Sequence, residues 1–185
     1  MGPPEPRNRI RHLTKDPKMK YIKQHKNFFD SEIFFEVVEY SNSLCTNGKN
    51  SFRTNYSWHK GIILDSNVIL IHDIDTNNII YHKIKNQVEK KLNIMNKSRI
   101  MIYFWTPGSH ISWHNDGVHK GGLTIYINDY WNRNDGGLFL YEDNNEIKGI
   151  IPEKNLAIEQ VGGVPHAVTC LTKNSPIRVT IQIFI

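Results

Sequence analysis

ISWHNDG, residues 111–117, is the stretch from which this chain is best read. Side chains of a β-strand alternate faces, so residues two apart point the same way. A strand here would aim the His114 imidazole and the Asp116 carboxylate together. The third member of a mononuclear metal site should then be a distant histidine, and His166 in VPHAV (164–168) is well placed to supply it. Two imidazoles and one carboxylate on one face of an octahedron leave the opposite face open, the arrangement of non-haem Fe(II) centres. With nine His and nine Asp in 185 residues, the His-x-Asp spacing arises by chance about 0.4 times, so the motif needs its context.

That context is a chain long enough to bury a core without cross-links. Cys45 and Cys170 are too few for a disulfide framework and read as reduced thiols, Cys170 in a buried strand. No apolar run reaches the length of a membrane span and the first residues are polar and basic, so the expectation is a soluble cytoplasmic protein without signal peptide or membrane contact. Much of the net charge of +5 sits in residues 1–26, which also carry Pro3, Pro4, Pro6 and Pro17. We read 1–26 as a flexible basic extension and 27–185 as a single domain.

From Asp30, a capping residue, apolar positions Ile33, Phe34, Val37, Val38 and Leu44 recur at helical spacing. Residues 46–61 read as a long polar loop studded with aromatics, the kind that serves as a lid. One or two short strands fit 61–74. A second helix is expected over 78–95, with Ile80, Ile84, Val88, Leu92 and Met95 on one face. Beyond it the helical period ends. The segments 99–105, 111–116, 122–128, 137–142, 155–161, 166–171 and 177–185 read as strands, separated by Gly-, Pro- and Asn-containing turns. Helices followed by many short strands predict a mostly β domain, a sandwich or small barrel with the helices packed on one sheet.

In the last strand Arg178, Thr180 and Gln182 share one face, and Val179, Ile181 and Ile183 the other. An arginine buried there without an anion costs about 3–5 kcal/mol, and its planar fork suits a carboxylate. The remaining histidines and tryptophans are mostly unremarkable: His59, His72 and His82 fit surface or helix positions, and Trp105, Trp113 and Trp131 fit core or rim packing.

Taken in order, HND, LTIYIN, YW, NDGGLFLYED, PHAV and IRVTIQIF resemble the 2-oxoglutarate- and Fe(II)-dependent dioxygenases of the prolyl 4-hydroxylase type, over residues 103–185. Upstream, SFRTNYSW is similar to the loop with an Arg-Thr pair in prolyl 4-hydroxylases. The resemblance implies a double-stranded β-helix, the jelly roll of cupin-like proteins. It implies that His114, Asp116 and His166 hold Fe(II), with 2-oxoglutarate and O2 as cosubstrates and ascorbate as an accessory. Arg178 and Tyr126 would meet the distal carboxylate of 2-oxoglutarate. Tyr103 or Trp105 would face the cosubstrate, Thr180 would share its pocket, and Leu138 or Leu140 would line it. Arg53, Trp58 and His110 would approach the substrate. The segment NLAIEQVGG departs from the pattern, since relatives tend to carry an aromatic and a shorter turn there.

The implied activity is hydroxylation of an unactivated C–H, with a prolyl residue in a peptide or protein as the leading substrate. Alternatives are a free amino acid or small metabolite, and a non-catalytic cupin-like binding module. A nucleic-acid substrate is disfavoured, because the alkylated-base repair dioxygenases usually carry a second Arg six residues after the first and this chain has Phe184 there.

Overall fold

The computed structural model describes residues 22–46, 52–58, 60–93, 99–116, 121–161 and 163–184. Among these residues, eleven strands and two α-helices follow one another as β1 (Ile22–His25), α1 (Ser31–Thr46), β2 (Arg53–Thr54), β3 (Ile69–Asp73), α2 (Ile79–Leu92), β4 (Arg99–Trp105), β5 (Ile111–His114), β6 (Gly121–Tyr126), β7 (Phe139–Asp143), β8 (Glu146–Ile150), β9 (Ala157–Val161), β10 (His166–Val168) and β11 (Arg178–Phe184). They form a seven-stranded sheet in the order β1-β9-β6-β11-β4-β3-β2 and a four-stranded sheet in the order β5-β10-β7-β8. Every recorded pairing is antiparallel. Among the described residues, no helix is long and apolar enough to cross a membrane.

Strand alternation divides the large sheet into two buried faces. Ile100, Ile102 and Phe104 of β4, Leu123 and Ile125 of β6, and Ile181 and Ile183 of β11 fall in one cluster with Phe34, Val37 and Leu44 of α1 and Ile80, Ile84 and Val88 of α2. The intervening residues Met101, Tyr103 and Trp105 of β4 and Tyr126 of β6 fall in a second cluster, with Ile111, Phe139 and Val168 of the small sheet. Apolar residues of both helices thus share one cluster with one face of the large sheet, and those of its other face share a second cluster with the small sheet. This two-layer arrangement fits a jelly roll. Helix α2 starts where Asn78 accepts the Ile80 amide at 2.9 Å and stops at Asn93 in the left-handed region, φ 52°.

Several expectations are corrected. The long loop over 46–61 contains β2, whose Arg53 and Thr54 pair with Ile71 and Leu70, and a 3-10 turn at Asn55–Ser57. Within 61–74 one strand forms, β3, while Lys60–Ile62 is a second 3-10 turn. Of the expected extension, residues 1–21 lie outside the described residues, but Ile22–His25 is a strand paired with β9. Cys170 is exposed beyond the end of β10, and Cys45 is exposed on α1. Like β1 and β2, β8 (Glu146–Ile150) was not expected. β8 returns from β7 through Asn144 and Asn145, at φ 53° and 67°, a two-residue turn that asparagine tolerates and that fits the twist of a hairpin.

Candidate metal centre

β5 is not a regular strand, and that irregularity positions His114. On β5 Ile111 pairs with Val168 and His114 with His166, so three steps face two and the register shifts between them. Ser112 and Trp113 together oppose Ala167, a bulge. Strict alternation would separate Ile111 from His114; the bulge lets both line the same cavity while Trp113 stays exposed. The strand ends at His114, so Asp116 follows it in the next loop. The i, i+2 geometry of one continuous strand therefore does not hold, yet the side chains converge.

His114 Nε2 lies 3.7 Å and His166 Nε2 3.8 Å from Asp116 Oδ1, and ligand atoms of the three residues lie within 4.8 Å of one another. Each imidazole is oriented in the same way. Nδ1 of His114 meets the Ser112 carbonyl at 2.8 Å, and Nδ1 of His166 meets that of Val164 at 2.9 Å. A proton on Nδ1 given to these carbonyls leaves both Nε2 lone pairs facing the carboxylate, the tautomer a metal requires. Burial holds the His166 pKa below its ordinary value, with the neighbouring His114 adding to the effect. Two imidazoles, one carboxylate and no thiolate form a donor set that suits Fe(II).

The cavity around the cluster has a volume of about 580 Å³ and is lined from both sheets. Arg178 is one of the lining residues. It is 1% exposed, and among the described residues no carboxylate pairs with it. Its Nη1 donates to the Gly137 carbonyl at 2.5 Å, but its Nε has no partner. The guanidinium carbon sits 4.0 Å from the Trp105 ring centroid and 5.8 Å from that of Tyr126, within reach of cation–π attraction. Burial pulls the Arg178 pKa down to about 10 and pushes that of Tyr126 up to about 12. A charged group without a buried counter-charge fits an anionic ligand. Gly137 makes room for it: a Cβ there would lie 2.5 Å from Arg178 Nη1.

Tyr103 also lines the cavity, and burial raises its pKa. Thr180 does not line it. Fully buried, Thr180 accepts the Trp105 Nε1 proton at 3.0 Å and so fixes the ring that stacks on Arg178. Leu138 is a correction: it packs with Leu140 over Gly149, while Phe139, on the alternate face, reaches the cavity. His110 is another, because it is absent from the lining and its backbone is held by Ser66 Oγ. Arg53 and Trp58 do line the cavity, Trp58 against the Tyr103 ring at 5.7 Å and Arg53 paired with Asp73.

Gln160 went unnoticed in the sequence. Its Nε2 donates to Asp116 Oδ2 at 3.1 Å and lies within hydrogen-bonding distance of His166 Nδ1, at 3.0 Å. Period-2 alternation from Ile158 would have put it on the inner face, but nothing local tells which face of β9 that is.

The sequence matches no protein-family model and no curated protein. Solved structures do match. A prolyl-4-hydroxylase from Pseudomonas putida superposes with a TM-score of 0.67 at 13% identity, over 89% of this chain and 91% of that one. A prolyl hydroxylase of Trichoplax adhaerens, solved with a peptide fragment of the hypoxia inducible factor oxygen degradation domain, gives 0.72 at 16%, over 89% and 82%. An oxidoreductase of the 2OG-Fe(II) oxygenase family from Burkholderia pseudomallei gives 0.62 at 14%, over 89% and 84%. At such identities the likeness is one of fold. The chain has the prolyl 4-hydroxylase-like fold of the 2-oxoglutarate- and Fe(II)-dependent dioxygenases.

Proposed function

We propose that this protein is a 2-oxoglutarate- and Fe(II)-dependent dioxygenase that hydroxylates a prolyl residue in a peptide or protein. The observation that carries the chemistry is the joint presence, on one cavity, of the His114–Asp116–His166 cluster and a buried arginine with no acidic partner among the described residues. His114, Asp116 and His166 would hold Fe(II). Arg178 would take the distal carboxylate of 2-oxoglutarate in its fork, with the Tyr126 hydroxyl beside it, and Tyr103 would flank the cosubstrate. When bound, Fe(II), 2-oxoglutarate and O2 supply the oxidation that places a hydroxyl on an unactivated C–H.

The chain's own contribution is orientation and exclusion of water. Thr180 holds the Trp105 indole, which holds the guanidinium plane. Ser112 and Val164 hold the imidazoles. Arg53 and Trp58 stand on the cavity wall where a substrate would approach. The preference for a prolyl peptide rests on fold analogy with prolyl hydroxylases, one of which was solved with a peptide.

The test is conversion of 2-oxoglutarate to succinate with and without Fe(II), in the presence of prolyl peptides or free amino acids, read together with a mass gain of one oxygen. Iron-dependent succinate formation and oxygen gain on a prolyl peptide are expected. Folded, iron-loaded protein that makes no succinate under any condition refutes the enzyme. Oxygen gain on a free amino acid alone refutes the peptide.

A further inference from the structure

Asp116 presents two oxygens, and only one of them faces the imidazoles. Oδ1 lies 3.7 Å and 3.8 Å from the two Nε2 atoms, whereas Oδ2 accepts a hydrogen bond from Gln160 Nε2 at 3.1 Å. Gln160 is 7% exposed and projects from β9, where it pairs across the ladder with Gly122 of β6. Asp116 itself lies past the end of β5 and has no strand to hold it. The same amide nitrogen lies within hydrogen-bonding distance of His166 Nδ1, at 3.0 Å, and that ring nitrogen also lies 2.9 Å from the Val164 carbonyl. One side chain from the large sheet thus touches two members of the cluster, both carried by segments of the other layer.

We propose that Gln160 is a positioning residue of the metal centre: its amide anchors Oδ2 of Asp116, turns Oδ1 toward the imidazoles, and thereby sets divalent-metal affinity. The chemistry of the amide suits the task. A lysine or arginine in its place would pair with Asp116 and cancel the charge a cation needs; a glutamate would set a second carboxylate against the first. A neutral donor orients the carboxylate and leaves its charge available. Hydrogen-bond partners behind metal ligands characteristically change metal affinity by about 10–100-fold when removed.

The inference rests on the cluster being a metal centre, and the experiment separates the two. The full-length protein is titrated with Co(II), read by its visible absorption, at a temperature where each ligand-free variant stays folded by circular dichroism. Gln160→Met, which keeps chain length and loses the donor, is expected to weaken Co(II) binding about 10-fold or more and to change the band shape. Gln160→Leu should behave alike and serves if the first variant folds poorly. Gln182→Met, altering a cavity glutamine that bonds Thr124 and touches none of the three ligands, should bind Co(II) like the unaltered protein. Failure of the unaltered protein to bind Co(II) removes the metal centre itself. Binding by the Gln160 variants within about twofold of the unaltered protein, or equal weakening in Gln182→Met, overturns the role of Gln160 alone.

Discussion

A guanidinium that is 1% exposed, with an unpartnered Nε and set beside the Trp105 and Tyr126 rings and the Gly137 carbonyl, is poorly compensated in the ligand-free protein. Replacing it with an apolar side chain of similar length removes that burden. Arg178→Met should therefore leave the ligand-free thermal midpoint unchanged or higher, while 2-oxoglutarate loses its ability to raise the midpoint. A large loss of stability without ligand would contradict this account. Gly137→Ala should act on the same group, since the new methyl meets Nη1 and the backbone sits at φ 69°; weaker 2-oxoglutarate binding with Co(II) affinity retained is expected. His114→Ala and His166→Ala should each abolish both Co(II) binding and turnover, because either removes one of the three donors of the cluster. Full activity in either variant is incompatible with the assignment.

Between elements, the cavity wall depends on how β2, β3 and β4 are joined. Asp73 of β3 accepts from Arg53 Nε at 2.9 Å, from Arg99 Nε at 2.5 Å and from Arg99 Nη2 at 2.9 Å. Against the cost of its partial burial, the two guanidiniums hold the Asp73 carboxyl below its ordinary pKa of 3.8. A depressed folded value means that the contribution is fully present above the unfolded value and disappears as pH falls through the lower folded one. Asp73→Asn should cost about 1 kcal/mol at neutral pH, less at high salt, as befits partly exposed pairs. The difference from the unaltered protein should close below about pH 4, which denaturant titrations across pH would read. A deficit that persists unchanged in acid would assign the loss to packing.

At the scale of the molecule, two ligands that bind only the folded state should raise its stability together. For each, a concentration of 100 Kd adds about 2.7 kcal/mol, which for a chain of this size shifts the midpoint by about 5–10 °C. Divalent metal should give the first increment, 2-oxoglutarate with metal the second, and a chelator should reverse both. An increment from 2-oxoglutarate that survives chelation in full would show that the keto acid does not share the metal. Both ligands are expected to act on the same body because the cavity is lined from both sheets, so anything bound there bridges the two layers.

The order of strands, the two helices and the chemistry of HND, PHAV and the Arg178 strand were legible along the chain, because period-2 and period-3.6 patterning and residue type are local properties. The extra strands were not. Ile22–His25 lies on β9, a pairing more than a hundred residues distant, and β8 is held by a turn whose Asn-Asn signal is weaker than Asn-Gly. The same limit explains the site. Residue types nominated His114, Asp116, His166 and Arg178, but a bulge read across to Ala167 aims His114, and a loop beyond the strand carries Asp116. Leu138 was expected from the resemblance and His110 from its nearness to the motif, and the pleat and the Ser66 contacts turn them away. Gln160 becomes visible only when β9 lies beside β6 and its amide meets a carboxylate 44 residues away. Local order thus determined the elements and the donor types; register and cross-layer contact, which join residues far apart in the chain, decided which side chains meet.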